Sequence, residues 1–468
     1  SIRGNFTGST SRSRSFDCTP FFSPLESSPV MTVRVRFAPS PTGSFHIGSA
    51  RTALYNFLFA RHMKGTFLLR VEDTDRERNT EESLRTILEG MDWLGLKYDE
   101  EPVYQSQRVE RHQEAANQLL DSGKAYWRED EGKGKALVFR IDREKVEWPD
   151  AVHGPMGRDL SDDPDLVILK SDGRPTYNLA VVVDDIDMKI THVIRGDDHI
   201  SNTPKQICLY RALGAEPPIF GHIPLILDPG GAKISKRKEY DFPVSVEETA
   251  QAGYLPESFI NFLVLLGWSP GDDRELMAMA EMIEAFTLER CSTTPARFLR
   301  NKLDFMNGHY IREGNPDRIL ELCKPYLEAR YSLADLPEEQ WKPAVQVHQS
   351  RIKRLDEISD AIGYVLSDEI TYMEKAERKW LQKEGVREIL QELRSGLEDL
   401  PSLDQEPVEH LLKSLAEKHD VKMSRIAQPL RVALTGKDAS PSMHDTLGLL
   451  GKERSIERID KAMERLSG

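Results

Sequence analysis

The chain has 468 residues, of which 39% are hydrophobic and 30% charged, a composition that fits a soluble globular protein of two to four domains. A net charge of −14 argues against a uniformly basic nucleic-acid binder. It leaves room for a partner held by local Lys/Arg patches, because screening confines each charge to about 8–10 Å. The longest apolar runs, such as residues 262–266, are far short of the ~20 residues a membrane helix needs, so no membrane partner is expected. The four cysteines, Cys18, Cys208, Cys291 and Cys323, form no C-x-x-C pair and lie near no metal-spaced histidine, which suits a reducing compartment without structural zinc.

Residues 1–30 are rich in Ser and Arg, with only Asp17 and Glu26 acidic. They are expected to lie outside the fold, as an appended tail, as sequence upstream of the true start, or as an organellar transit segment. Residues 32–37 alternate and read as a strand. The prolines of Ala38-Pro39-Ser40-Pro41-Thr42-Gly43 forbid helix and make a loop. Ala50, Leu54, Phe57, Leu58 and Met63 then fall at helical spacing over residues 48–62, and residues 66–71 are a second strand. Strand, loop, helix, strand is the opening of a parallel sheet with a right-handed crossover.

Residues 101–164 are polar and Gly-rich and read as an inserted module between two sheet halves, about 31–100 and 165–240. The second half is expected to contribute strands at residues 165–170, 180–183, 192–195 and 222–227, all nearly continuous apolar runs of the kind a doubly covered sheet requires. Residues 241–310 complete this catalytic domain as a helical region. From residue 311 to 468 strand signals fade and amphipathic helices dominate, for example over residues 380–397 and 456–466.

Two segments carry chemistry. Pro39-Ser40-Pro41-Thr42-Gly43-Ser44-Phe45-His46-Ile47-Gly48 lies between a strand and a helix start, where free N–H groups and the helix dipole favour a phosphate. His46 can donate to a phosphate oxygen, and Gly48 lets a flat base lie against its backbone. Taken alone, the segment is equally a turn with a capping histidine. Lys233-Ile234-Ser235-Lys236-Arg237 follows Asp228-Pro229-Gly230-Gly231. Its two lysines on a mobile loop can close over a triphosphate, where catalysis is mostly charge placed around phosphorus and the leaving group. Taken alone, it is a solvated basic loop.

In this order, His46-Ile47-Gly48-Ser49 and Lys233-Ile234-Ser235-Lys236-Arg237 resemble the paired signatures of class I aminoacyl-tRNA synthetases, with Ser49 where a second histidine is usual. The likeness extends to Arg36-Phe37-Ala38-Pro39-Ser40-Pro41-Thr42-Gly43, to Arg70-Val71-Glu72-Asp73-Thr74-Asp75, to Pro175-Thr176-Tyr177-Asn178 and to Val193-Ile194-Arg195-Gly196-Asp197-Asp198-His199. Gln428-Pro429-Leu430-Arg431-Val432-Ala433-Leu434-Thr435-Gly436 is similar to the bacterial-type glutamyl-tRNA synthetases in particular.

The resemblance implies an α/β fold: a Rossmann-like parallel-sheet catalytic domain with an inserted acceptor-binding module, then an all-α anticodon-binding domain. It implies an ATP-dependent ligase with Mg2+ that activates L-glutamate and transfers it to tRNA-Glu, acting as a cytoplasmic monomer unless residues 1–30 direct it to an organelle. Arg36 and Tyr177 are expected at the side-chain carboxylate of glutamate, Arg195 at its α-carboxylate, Glu72 and Ser40 at its ammonium, and Ala38 also at the bound glutamate. Bidentate guanidinium forks suit carboxylates. Glu72 and Asp73 are alternatively caps of the next helix. His46, Gly48, Ser49 and Lys236 are expected at ATP, with Lys233 and Ser235 on the closing loop. Arg351 matches an arginine that reads the last anticodon base; alternatively it lies on a solvated basic face. Many relatives carry a Cys/His zinc knot in the inserted module; here Tyr126-Trp127-Arg128-Glu129-Asp130-Glu131-Gly132-Lys133-Gly134-Lys135 stands in its place, so zinc is not expected. Lys133 and Lys135 are candidates for phosphate contact.

Overall fold

The computed structural model describes residues 32–74, 79–130, 134–235 and 238–466. Strand β1 (Arg34–Phe37) leads through the proline loop into α1 (Ile47–His62), then β2 (Thr66–Val71), α2 (Glu81–Trp93) and a short β3 (Val103–Tyr104). β2 pairs in parallel with β1, Arg36 opposite Leu68, and with β3. Phe67, Leu68, Leu69 and Val71 are buried, as expected for a strand covered on both faces.

After α3 (Val109–Asp121) come β4 (Ala125–Asp130), β5 (Gly134–Phe139), β6 (Lys145–Asp150), β7 (Gly154–Asp159) and β8 (Leu166–Leu169). Then follow α4 (Tyr177–Asp187), β9 (His192–Gly196), α5 (Thr203–Ala212), β10 (Ile219–Ile223) and β11 (Ile226–Leu227). β9 and β10 are parallel neighbours, and the β6–β7 hairpin extends the sheet beyond β10. β9 runs beside β1, where the Thr191 N–H donates to the Arg34 carbonyl at 2.9 Å. Spatially the order is therefore β3-β2-β1-β9-β10. The chain moves outward from β1, then returns to continue on its other side. That reversal leaves a crevice at the carboxyl ends of β1 and β9, where open parallel sheets bind ligands.

Residues 180–183 are not a strand. They form the middle of α4, with Ala180, Val181, Val182 and Val183 all buried. A short apolar run covered on every side has no readable period, so strand and buried helix look alike in sequence. The strand at residues 166–169 pairs antiparallel with β5 in the module's own sheet, not with the parallel sheet. The run at 222–227 breaks at Pro224, which has no N–H for a ladder. The inserted segment is thus split between two sheets.

The chain continues through α6 (Val246–Gln251), α7 (Pro256–Val264), α8 (Met279–Ala285), β12 (Ala296–Arg297) and α9 (Arg300–Glu313). One apolar core joins β1, α1 and β2 to α7, α8 and the start of α9. A second lies under α4, α5, β9 and the inserted strands. A third belongs to the helices beginning with α10 (Pro316–Glu328) and α11 (Glu338–His348) and ending at Lys452–Arg465. The helix expected over 380–397 is interrupted: Gly385 has φ 77°, and Val386–Asp399 starts after it. Among the described residues, no helix is long and apolar enough to cross a membrane.

Candidate active site

A cavity of about 500 Å³ opens at the β1/β9 crevice. Arg36, Ala38, Ser40, His46, Gly48, Ser49, Glu72, Tyr177, Arg195 and Lys233, which lie far apart in the chain, all line it. Ser235 is an exposed residue of the loop after β11, its N–H donating to the Tyr240 hydroxyl at 3.1 Å. Lys236, Arg237, Lys133 and residues 1–31 lie outside the described residues. Lys135 is exposed on β5, away from the cavity.

Local chemistry sets each wall. The proline loop is pinned where the Glu72 N–H donates to the Pro39 carbonyl at 2.9 Å. The segment before α1 is stitched to residues 244–247, with the Ile47 N–H on Val244 O at 3.0 Å and the Phe45 N–H on Glu247 Oε1 at 3.0 Å. His46 is the N-cap of α1, and its Nδ1 accepts the Gly48 N–H at 3.1 Å. That bond places the imidazole proton on Nε2, the nitrogen that serves as a donor. A Cβ built on Gly48 would meet only the His46 ring, at 3.4 Å, so the protein itself does not require glycine there. The bare backbone keeps that wall flat for a ligand.

The cationic wall is built from buried groups. Arg36, 4% exposed, donates through Nε to Asp185 Oδ1 at 3.0 Å. Arg70, fully buried, reaches Asp185 Oδ1 at 2.5 Å and Glu72 Oε1 at 3.2 Å. Burial pushes the Asp185 carboxyl up, but Arg36 and Arg70 overcome it and hold it below the usual carboxylate value. Glu72 goes the other way. Burial raises it, and the pull of Arg70 and Arg36 does not fully compensate. A carboxylate in that position gains from an additional cation. Neither Glu72 nor Asp73 caps α2: Thr80 does, and Asp73 accepts from the Ser106 N–H and hydroxyl at 2.7 and 2.6 Å.

Arg195, 5% exposed, donates through Nε to His222 Nε2 at 3.2 Å and through Nη2 to Thr203 Oγ1 at 2.8 Å. Its Nη1 is buried with no hydrogen-bond partner among the described residues. Tyr177 pairs its hydroxyl with His199 Nδ1 at 3.0 Å. Burial and nearby Glu72 push the phenol up to about 12, and burial with the Arg195 charge drives His199 down to about 4. Both are therefore neutral hydrogen-bonding groups near neutral pH. Lys233 Nζ stands 3.6 Å from Asp198 Oδ2, bringing the basic loop to the cavity mouth.

Asp185, His199, Thr203 and His222 were not singled out by sequence. Asp185 follows the run read as a strand, and only the helical phase of α4 turns it toward Arg36 and Arg70. His199 closes a quoted motif, a signal that was available. Arg351 sits elsewhere, in the turn Gln349–Arg351 after α11, and its charge is felt at His348 and at Arg431.

The family model for the class I tRNA synthetase (E and Q) catalytic domain matches residues 32–133 and 127–305, and that of an anticodon-binding domain matches residues 318–463. The chain belongs to the class I tRNA synthetases of this E and Q type. Relatives it matches over nearly its whole length are glutamate–tRNA ligases. That of Thermoanaerobacter pseudethanolicus (its ligase 2) is 41% identical, over 92% of this chain and 98% of its own length. That of Legionella pneumophila strain Lens is 42% identical, over 93% and 98%. The crystal structure of a glutamate tRNA ligase from Elizabethkingia meningosepticum in complex with its amino acid superposes with a TM-score of 0.83 at 30% identity, covering 93% of this chain and all of that one.

Proposed function

We propose that this chain is a glutamate–tRNA ligase that condenses L-glutamate with ATP to glutamyl-adenylate and passes the glutamyl group to the 3′ end of tRNA-Glu. The observation that carries the reading is the charge pattern of one cavity. Three buried guanidiniums (Arg36, Arg51 and Arg195), the Lys233 ammonium, a phenol, two carboxylates (Glu72 and Asp198) and a helix N-terminus surround about 500 Å³, a volume typical of small-ligand sites. Glutamate presents two carboxylates and one ammonium, and ATP brings phosphates to the helix end.

In this reading Arg36 and Tyr177, with Ala38 beside them, hold the side-chain carboxylate, and Arg195 Nη1 holds the α-carboxylate. Glu72 and Ser40 take the ammonium. His46 Nε2–H, Gly48 and Ser49 support ATP, and the loop with Lys233, Ser235 and Lys236 closes on its phosphates. Among the described residues no three His, Cys, Asp or Glu side chains cluster as a metal site. A Mg2+ ion carried by the ATP phosphates would supply charge neutralisation there. The α-carboxylate attacks the α-phosphorus and pyrophosphate departs. The terminal ribose hydroxyl then attacks the mixed anhydride, and AMP leaves. Positioning and charge do this work, with no protein nucleophile. The helical domain with Arg351 reads the anticodon, and the enzyme works as a monomer in the cytoplasm, or in an organelle if residues 1–30 direct it there.

Glutamate-dependent ATP–pyrophosphate exchange and aminoacylation, with and without tRNA-Glu, test this. Purified enzyme is expected to charge tRNA-Glu with glutamate, and Lys236→Ala to lower exchange by orders of magnitude without unfolding the protein. Exchange indifferent to both glutamate and tRNA overturns the reading.

A further inference from the structure

Behind Arg195 lies a chain of buried groups that the reaction does not itself require. Asp150, the last residue of β6, accepts the Val152, His153 and His222 N–H groups through Oδ1 at 3.0, 3.0 and 3.2 Å. Its Oδ2 stands 2.6 Å from His222 Nδ1. Both side chains are fully buried. His222 Nε2 in turn faces Arg195 Nε at 3.2 Å and Thr203 Oγ1 at 3.0 Å.

The donors and acceptors admit one arrangement. Arg195 Nε carries a proton and can only donate, so His222 Nε2 must present its lone pair. The imidazole proton then sits on Nδ1, where ionised Asp150 accepts it. With Nε and Nη2 both engaged, the guanidinium cannot rotate, and Nη1 is the nitrogen left without a partner among the described residues. The Phe220 ring, 5.4 Å from the guanidinium carbon, closes its side. Without this backing, Arg195 would have rotamer freedom to lose on every binding event.

We infer that Asp150 and His222 are positioning residues for amino-acid binding: Asp150 sets the His222 tautomer, and His222 aims Arg195 at the substrate α-carboxylate. The inference rests on the reading of Arg195 given above. It assigns a specific task to the tip of the inserted β6–β7 hairpin, whose last β6 residue pairs with Phe220 of the parallel sheet.

The test is ATP–pyrophosphate exchange with the full chain and tRNA-Glu present, measuring KM for glutamate and for ATP separately. Asp150→Asn keeps the acceptor for the three backbone N–H groups but turns a donor toward Nδ1. This forces the proton to Nε2, against Arg195. It is expected to raise the glutamate KM at least fivefold while the ATP KM stays within twofold. His222→Asn can still donate to Asp150 but removes the acceptor for Arg195, and should do the same. His222→Gln extends a carbonyl to the Nε2 position and should recover most of the lost affinity. If Asp150→Asn does not fold, the two His222 variants decide alone. Both KM values rising together, a fall in melting temperature with unchanged KM values, or no difference between the Asn and Gln variants would mean mere structural support and overturns the relay. Arg195→Lys separates the layers. Unchanged glutamate KM in that variant sinks the Arg195 reading itself. A raised KM there with a normal Asp150→Asn sinks only the relay.

Discussion

Replacing Arg36 by lysine is a strong test of the amino-acid pocket, because the guanidinium there serves two partners at once. Its Nε is committed to Asp185 at 3.0 Å, which leaves the two terminal nitrogens to face the cavity. A lysine has a single ammonium. It can hold Asp185 or reach the ligand carboxylate, not both. Asp185 keeps Arg70 and the Tyr210 hydroxyl, at 2.5 and 3.2 Å, so the fold should survive. The loss is about one charge-assisted hydrogen bond to glutamate, roughly 1.5–3 kcal/mol. At about 1.4 kcal/mol per factor of ten, kcat/KM for glutamate should fall roughly 10- to 150-fold. The assay is ATP–pyrophosphate exchange with tRNA-Glu, glutamate varied at saturating ATP and then the reverse. The ATP KM should hold within twofold. An unchanged kcat/KM for glutamate, or parallel losses toward both substrates, would refute the placement of Arg36 at the amino acid.

Three further outcomes are expected. Asp185→Asn leaves Arg36 and Arg70 buried without their shared anion, and breaking such a pair should lower stability by about 3–5 kcal/mol, read as a shift in the urea unfolding midpoint of the catalytic part. His348 is buried and held neutral, driven down to about 4 mainly by desolvation, its Nδ1 2.7 Å from the Ala344 carbonyl. The unfolded chain takes up that proton near pH 6.5, so stability drops as pH falls from about 6.5 toward 4. His348→Gln should remove about 2–3 kcal/mol of the stability lost between pH 7 and 4, measured by denaturant unfolding at each pH. An equally steep loss in the variant would count against a neutral buried His348. Arg351→Gln should change the ratio of tRNA-Glu to tRNA-Gln charging by roughly 5- to 150-fold, the span of a 1–3 kcal/mol base contact. Unchanged charging of both tRNAs would remove Arg351 from anticodon reading.

The proline loop, the β-α-β opening and the helical second half were legible because each is a local pattern. Proline excludes helix at residues 39 and 41, alternation marks β1, and amphipathic spacing marks the late helices. Residues 180–183 failed for a reason of the same kind. Burial on all sides erases the period that separates strand from helix. That error hid Asp185, since only helical geometry places it on the guanidinium side while Asp184 accepts from His112 and Arg108 at 2.8 and 2.7 Å.

By itself the sequence settled the kinds of group available and the family they resemble: arginines beside strand ends, a histidine before a helix, a lysine loop, a helical tail. Tertiary structure alone decided that the crevice forms between β1 and β9, that Asp185 and His222 stand behind the two arginines, and that the inserted hairpin supplies Asp150. Those contacts join residues 27 to 149 positions apart. Local propensity carries no information over such separations, because they depend on strand order in the sheet and on which face of each helix is buried.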